Sequence, residues 1–570
     1  MTPDTPALLS SSLPGMADRP WITVTTLGDL VDQRAAEHPE REAVVFPDSR
    51  HTYGDLAARA HDIAKGLLAL GVEPGDRVGY FMHETIDTLA TLFGAAKVGA
   101  ITAPLNARFK PFELNQVVVH AGMKVVLTKR PDGGTDFPGL LTETFPEIAD
   151  GTPGRLDMTD APELRAVVVL DDRADPGMID EATFLAAGAE ISDAALDQRQ
   201  RGVRVRDTAV IMYTSGTTAM PKGAMLSHEA FLRFATATCG ERMPIHGDDR
   251  VWTALPLFHI GGVAFGIGTI FAGATFVHTG FFNPAVALGQ LRDEPCTLAL
   301  AGFETIWLPI IGHPDLNEGD LDNLRAILCV GVEERLRQIQ AATPDATLLN
   351  CFGQTEACAF LSLSEADDPL DLRMTRGGFP MPGMECEVHD PDTDELLPPD
   401  SIGELWYRGP MAFDGYFRDP ETTAEVFDDR GYFKTGDVCH QDAEGRITFV
   451  SRVKDMLKVG GENVAAAEVE GYLITHPDVV IAQVVSAPDD KYVEVPAAFV
   501  QLREGAEVSE QELIDYCRGQ IATFRVPRYV RFIDEWPMSV TKVKKFVLRE
   551  EIAKDLADQG ITEAPRITSD

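Results

Sequence analysis

Positive charge is what this chain has least of. Lys and Arg number 50 against 89 Asp and Glu, a formal net charge of −39 over 570 residues. A surface this acidic repels nucleic acid and anionic membranes, so neither is an expected partner, and any phosphate-bearing ligand needs a local positive field. Cysteine is scarce too: eight residues, with no C-x-x-C pair. That argues against a disulfide scaffold and a zinc site, and it suits a reducing cytoplasm. Long hydrophobic runs are nearly missing. The stretch "IGGVAFGIGTIFAGATFV" at 260–277 is uncharged but carries five glycines and has no second of its kind, so it reads as a buried helix rather than a membrane span. The opening "MTPDTPALLSSSLPGMADRP" lacks the basic start and apolar core of a secretory signal, and residues 1–24 are expected to be an extension.

What remains is an ordinary globular composition, 44% hydrophobic and 24% charged, in a chain too long for one core. Val- and Ile-rich runs alternate with helical patterns: "DRVGYFM" (76–82), "ETIDTLATLFGAAKVGA" (84–100), "ITAPLN" (101–106), then "MKVVLTK", "LRAVVVLDD", "TAVIMYTSG", "CTLALAG", "RAILCVG" and "ATLLNCFG". Such runs, bounded by turns, read as buried strands of parallel α/β sheets. Residues 130–160 and 185–200 are polar and weakly periodic, and read as loops or surface insertions. After about residue 380, "ECEVHD", "GELWYRG" and "RITFVSR" read as an antiparallel β subdomain. Beyond Arg452 a smaller α+β unit is expected. The division predicted is therefore 25–452, with the β subdomain at 380–452, followed by 453–570.

One loop stands out. "YTSGTTAMPKGAMLSH" (213–228) packs hydroxyls, glycines and a lysine together, yet it is not G-x-x-x-x-G-K-[ST]. "TAVIMY" before it reads as a strand and "EAFLRFATA" after it as a helix, which makes 214–223 a strand-to-helix loop. There, successive N–H groups can converge on an anion. Thr214, Ser215, Thr217 and Thr218 add hydroxyl donors, Gly216 and Gly223 allow close approach, and Lys222 adds charge.

"YTSGTTAMPKG" resembles the signature loop of the adenylate-forming superfamily, which holds acyl- and aryl-CoA ligases, adenylation domains of peptide synthetases, and luciferases. "LPLFHIGG" (255–262), "NCFGQTEA" (350–357), "YFKTGD" (432–437), "SRVKDMLKVGGENV" (451–464) and "PMSVTKVKK" (537–545) follow in family order. The resemblance spans roughly residues 25–550. It implies an α/β fold: a large N-terminal domain of doubly wound parallel sheets with a small antiparallel β subdomain, then a small mobile α+β C-terminal domain. It also implies a two-step, ATP-dependent acid–CoA ligase using Mg²⁺. An acyl-AMP ligase loading a carrier protein and a non-catalytic nucleotide-binding relative are the alternatives.

The resemblance assigns roles residue by residue. Thr214, Ser215, Gly216, Thr217, Thr218 and Lys222 would hold the β- and γ-phosphates, and Thr355 the α-phosphate. Glu356 would bind magnesium, with Thr217 as a second ligand. Phe352 would cover the adenine, Asn350 read its amino edge, and Gly353 and Gly331 flank it. Val332 and Glu333 stand where the family has Gly-Ala or Ala-Ala. Asp437 would take the ribose hydroxyls and Arg452 the ribose or phosphate. Lys542 would be the catalytic lysine, although Thr541 precedes it directly where the family has Thr-Gly-Lys, and Lys544 and Lys545 stay open. Lys454 would be the hinge, and Gly460 and Gly461 the glycines beside the pantetheine arm. His259 would line the acid pocket with Phe258, Gly262, Phe303, Trp307, Gly331 and Cys358, which favours a bulky apolar aryl or fatty acid. A homodimer is one candidate assembly.

Overall fold

The computed structural model describes residues 25–130, 134–214, 221–453, 456–459, 462–538 and 543–567. Ser215, Gly216, Thr217, Thr218, Lys454, Gly460, Gly461 and Lys542 lie outside the described residues. The chain divides into two compact units. The first runs to Met374 and adds Gly378–Met384 and Arg408–Glu425; the second takes Thr375–Gly377, Glu385–Tyr407 and everything from Val426 onward.

Two seven-stranded sheets build the first unit. The first has the spatial order Ile179–Asp180, Ala166–Val169, Met123–Thr128, Arg77–Phe81 (β1), Ile101–Pro104, Thr208–Thr214 (β2) and Lys222–Ser227 (β3). All its neighbours are parallel except β2 and β3. Its strands are buried on both faces, which is why they read as continuous apolar runs such as "AVVV" at 166–169. Helix α1 (Ile86–Val98) covers this sheet, with all but its first residue buried. The Thr85 side chain accepts from the Asp87 N–H at its start, and Gly99, at φ +73°, ends it.

The second sheet has the order Thr347–Leu349, Ala326–Val330 (β6), Leu298–Phe303 (β5), Arg250–Thr253 (β4), Thr275–His278, Glu42–Phe46 and Ser49–Thr52, parallel but for the last pair. From β4 the chain passes through helix α2 (Ile260–Ala272) to Thr275–His278 on one side; β5 then lies on the other side of β4. The connections leaving the carboxyl ends of β4 and β5 therefore diverge, which opens a crevice of the kind where α/β sheets bind ligands.

Three local readings need correction. Residues 260–277 form a buried helix only to Ala272; Gly273, at φ +72°, turns the chain into a strand. Among the described residues no helix is long and apolar enough to cross a membrane. The polar segments 130–160 and 185–200 contain short helices, Phe137–Thr144, Glu147–Asp150, Glu181–Ala189 and Asp193–Gln200. Each of the three longer ones is started by an Asp or Ser cap (Asp136, Asp180, Ser192) and anchored by only a few buried residues, such as Phe137 and Leu141, Phe184, or Leu196. That is too little apolar periodicity to read by eye. Finally, 214–223 joins β2 to an antiparallel strand, not to a helix. Alternating burial at Ala224 and Leu226 around half-buried Met225 marks β3, and the helix His228–Phe234 starts only after Ser227.

The second unit holds the antiparallel sheet Glu385–His389, Ser401–Arg408, Phe433–Gln441 (β7) and Ile447–Arg452 (β8). It also holds a five-stranded sheet of Glu462–Ala465, Met456–Val459, Val493–Leu502, Val479–Asp489 and Tyr529–Phe532. Helices Ala466–Ile474, Glu510–Cys517 and α3 (Lys545–Gln559) bury Val469, Leu473, Leu513, Leu548 and Ile552 against that sheet.

Candidate active site

The described ends of the hydroxyl-rich loop are fixed by the β2–β3 ladder. Thr214 pairs with Lys222, and its hydroxyl donates to the Lys222 carbonyl at 3.4 Å. The outer edge of β3 is laced to a second segment: Met225 N–H to the Gly415 carbonyl (3.0 Å), Asp414 N–H to Met225 (2.9 Å) and Phe417 N–H to Gly223 (2.8 Å). These bonds set Tyr416 beside the lysine, with Lys222 Nζ 5.2 Å from the ring centroid. The Tyr416 hydroxyl donates to Glu356 Oε1 at 2.9 Å, and Phe413 N–H donates to the Glu356 carbonyl at 2.8 Å. Tyr416 thus touches both the lysine of the loop and the expected metal ligand. Sequence reasoning missed it, because the contact spans sixty residues.

Glu356 is 9% exposed, in the single turn Thr355–Ala357. No cation is ion-paired to it among the described residues, and a phenol holds one of its oxygens. An acceptor-only group so placed fits a hard divalent cation. Directly after it Cys358 and Ala359 take φ +53° and +89°, left-handed values that a side chain disfavours. The chain reverses there, and Leu361 N–H returns to the Phe352 carbonyl at 2.9 Å. A Cβ on Gly353 would lie 1.8 Å from the Ala359 carbonyl oxygen, so the fold of this turn itself demands glycine. Phe352 is 8% exposed, and half-buried Thr355 opens the turn. Asn350 Oδ1 accepts from Cys351 N–H at 2.9 Å, so that side of the amide is engaged within the chain.

At the crevice between β4 and β5 the chain places His259 and Phe303, edge to face with ring centroids 6.5 Å apart. His259 caps α2, its Nδ1 accepting from Gly261 N–H at 3.2 Å. An accepting Nδ1 and a capping role fit a wall of the pocket better than a general base. Of the other expected pocket residues, Trp307 is fully buried and packs on Trp252 at 6.1 Å, and Cys358 is fully buried, its thiol pushed well up by burial. Glu304, which follows Phe303, was not anticipated. Its carboxylate accepts from Val332 N–H at 3.0 Å and stands where a Cβ on Gly331 would be; burial raises its pKa.

In the second unit, Asp437 and Arg452 face each other across β7 and β8, with Nε 3.2 Å from Oδ1. Gly436 (φ +68°) and a register shift between Glu404 and Trp406 put Asp437 within a bulged strand, not at a strand end. Asp437 is 3% exposed, so the partly exposed Arg452 is the counter-charge that steadies its carboxylate. Lys545 opens α3 and is ion-paired to Glu470 at 2.5 Å, which occupies one of the three candidate lysines. Lys544 is the residue just before that helix.

The chain is similar to known proteins over most of its length. Residues 31–417 match the model for the AMP-binding enzyme, and residues 468–545 that for the AMP-binding enzyme C-terminal domain. The chain is 32% identical over 536 residues to "Putative acyl-CoA synthetase YngI" of Bacillus subtilis, covering 92% of this chain and 97% of that protein. It is 30% identical over 565 residues to the mitochondrial medium-chain acyl-CoA ligase ACSF2 of Danio rerio, covering 97% and 92%. Among solved structures, ATP-bound MatB from Rhodopseudomonas palustris superposes with a TM-score of 0.78 at 26% identity, over 93% of this chain and 99% of that one. With both family models matched in order over most of its length, the chain belongs to the AMP-binding enzyme family, in the adenylate-forming superfamily, as an acid–thiol ligase.

Proposed function

We propose that the enzyme activates a bulky apolar carboxylic acid in two half-reactions. The acid's carboxylate attacks the α-phosphorus of ATP, giving acyl-AMP and pyrophosphate. The CoA thiol then attacks the acyl carbon, giving the thioester and AMP. The observation that carries this reading is the Lys222–Tyr416–Glu356 cluster. It sets a cation beside the loop's end and a buried carboxylate at one tyrosine's reach, the two charges that a polyphosphate and its metal need. Magnesium, when bound, neutralises charge on the departing pyrophosphate; Glu356, with Thr217 in the loop, would hold it.

Thr214, Ser215, Gly216, Thr217 and Thr218 cradle the outer phosphates in this reading, and Thr355 the α-phosphate. Asn350, Phe352, Gly353 and Gly331 take the adenine, and Asp437, braced by Arg452, takes the ribose hydroxyls. Lys542 stabilises charge between the attacking carboxylate and the α-phosphate. The functional boundary falls at 452–453, Lys454 is the pivot, and Gly460 and Gly461 serve the thiol half-reaction. His259 and Phe303 wall the acid's crevice, and two rings suit an apolar chain or ring. Eight free cysteines, seven of them buried, suit a reducing compartment such as the cytoplasm.

The test is ATP–pyrophosphate exchange over a panel of aryl and fatty acids, followed by detection of the CoA thioester. Exchange and thioester with a medium-length or aryl acid are expected. Exchange without thioester would indicate a carrier protein as acceptor, and no exchange with any acid would overturn the reading.

A further inference from the structure

Glu84 is a buried acid that the reaction does not use. It sits just past the carboxyl end of β1, before Thr85 caps α1, and is 7% exposed. Its Oε1 accepts from Leu257 N–H at 3.3 Å. Tyr80, on β1 itself, donates its hydroxyl to the Leu257 carbonyl. Leu257, 1% exposed, is therefore held at its donor and its acceptor by two side chains from β1 and the connection that follows it. It lies in the turn between β4 and α2. Two residues on, His259 donates its N–H to the Pro256 carbonyl at 2.9 Å, caps α2 and meets Phe303. Backbone groups in such a turn have no strand or helix partner of their own, so the side chains that satisfy them fix its shape.

We propose that Glu84 is a positioning residue for the acid-binding crevice: it fixes the 254–259 turn, and with it His259, so that affinity for the acid follows the protonation of this one carboxyl. The inference rests on the reading of His259 and Phe303 as walls of the acid pocket.

Burial, against the few polar groups nearby, sets where this carboxyl titrates. The groups bearing on Glu84 are its own N–H, the Leu257 N–H, the Tyr80 phenol and, at longer range, Arg108; burial outweighs them and pushes the carboxyl up to about 7. Ionised, it makes a charge-assisted bond to Leu257; protonated, it accepts more weakly. Rising pH through neutrality should therefore tighten the turn and lower the KM for the acid.

The test uses the full chain and the variants Glu84→Gln, which keeps the acceptor without the titration, and Glu84→Ala, which removes it. Hydrogen exchange of a peptide spanning 253–262 needs no turnover, so it decides this inference even if no acid proves to be a substrate. Wild type should gain protection there between pH 6 and 8, after correction for intrinsic exchange. Glu84→Gln should be protected without that pH dependence, and Glu84→Ala should exchange roughly tenfold faster in this peptide. With an acid substrate in hand, the acid's KM should follow pH in wild type and not in Glu84→Gln, while the KM for ATP stays level in both. The inference is overturned if Glu84→Gln keeps the wild-type pH dependence of exchange, or if Glu84→Ala leaves the peptide as protected as wild type.

Discussion

Replacing Tyr416 by Phe removes one oxygen and nothing else. The ring stays, so Lys222 keeps its partner at 5.2 Å and Phe413 its contact at 4.9 Å. What is lost is the 2.9 Å hydrogen bond to Glu356 Oε1. Both residues are buried, at 8% and 9% exposure, so water cannot freely take the hydroxyl's place. A hydrogen bond to a charged group is worth about 1.5–3 kcal/mol. If Glu356 must be ionised and aimed for adenylation, the full loss appears in that step, a fall of roughly tenfold to 150-fold at about 1.4 kcal/mol per decade. ATP–pyrophosphate exchange against magnesium concentration is the assay: the curve should fall in height and move to higher magnesium. Thioester formation from supplied acyl-AMP and CoA should be unchanged. Exchange within twofold of wild type at every magnesium concentration would refute the idea that Tyr416 aims a metal ligand, and equal loss of both half-reactions would show general damage.

Other outcomes follow from single contacts. Lys542→Ala should reduce adenylation on the order of 10²–10³-fold while sparing thioester formation from acyl-AMP; the same phenotype in Lys544→Ala alone would move the register. Lys545→Ala should instead lower thermal stability, since it leaves Glu470, 9% exposed, without its cation. Gly353→Ala puts a Cβ 1.8 Å from a backbone oxygen, so a melting curve should report a loss of about 1–3 kcal/mol along with lost exchange activity. Lys454→Pro should keep adenylation and lose thioester formation, read as the two half-reaction rates. For Glu84 the global balance runs opposite to the local bond: ionisation strengthens the bond to Leu257 but charges a buried group, so overall stability falls as pH rises from about 4.5 to about 7, by up to about 3 kcal/mol, and denaturant midpoints at pH 5 and pH 8 should differ less in Glu84→Gln.

The parallel sheets were readable because strands buried on both faces leave unbroken apolar runs, as at 166–169 and 208–214. Two strands that carry candidate site residues, one in each unit, were not. Lys222–Ser227 begins with Lys-Gly and runs straight into a helix, so its short alternation is hidden. Phe433–Gln441 carries Gly436 at φ +68° in the middle of "TGD", a bulge that breaks the regular alternation of the strand. The motifs single out Glu356, Asp437 and His259 as candidates, yet give no hint of what holds each. Tyr416, Arg452 across a ladder, and Glu84 with Tyr80 act over long separations, and no local pattern encodes a pairing of that kind.

The supports of the two halves of the first unit differ in kind, and that difference has a consequence. The lysine and carboxylate expected at the phosphates are held largely by backbone bonds, Gly415 to Met225, Phe417 to Gly223 and Phe413 to Glu356, with the Tyr416 hydroxyl added on Glu356. The backbone bonds survive most side-chain changes, so apart from Tyr416 the proposed nucleotide site tolerates drift in the surrounding sequence. The crevice of His259 and Phe303 is held by side chains instead, Glu84 and Tyr80 on one wall and Glu304 at the Gly331–Val332 turn. There a single substitution can shift a wall by a fraction of an ångström or empty a space. In the proposed reading of this crevice as the acid's, the choice of acid can therefore change without disturbing adenylation, and substitutions that alter which acid is used should fall at 84, 303 and 304 rather than at 222, 356 or 416.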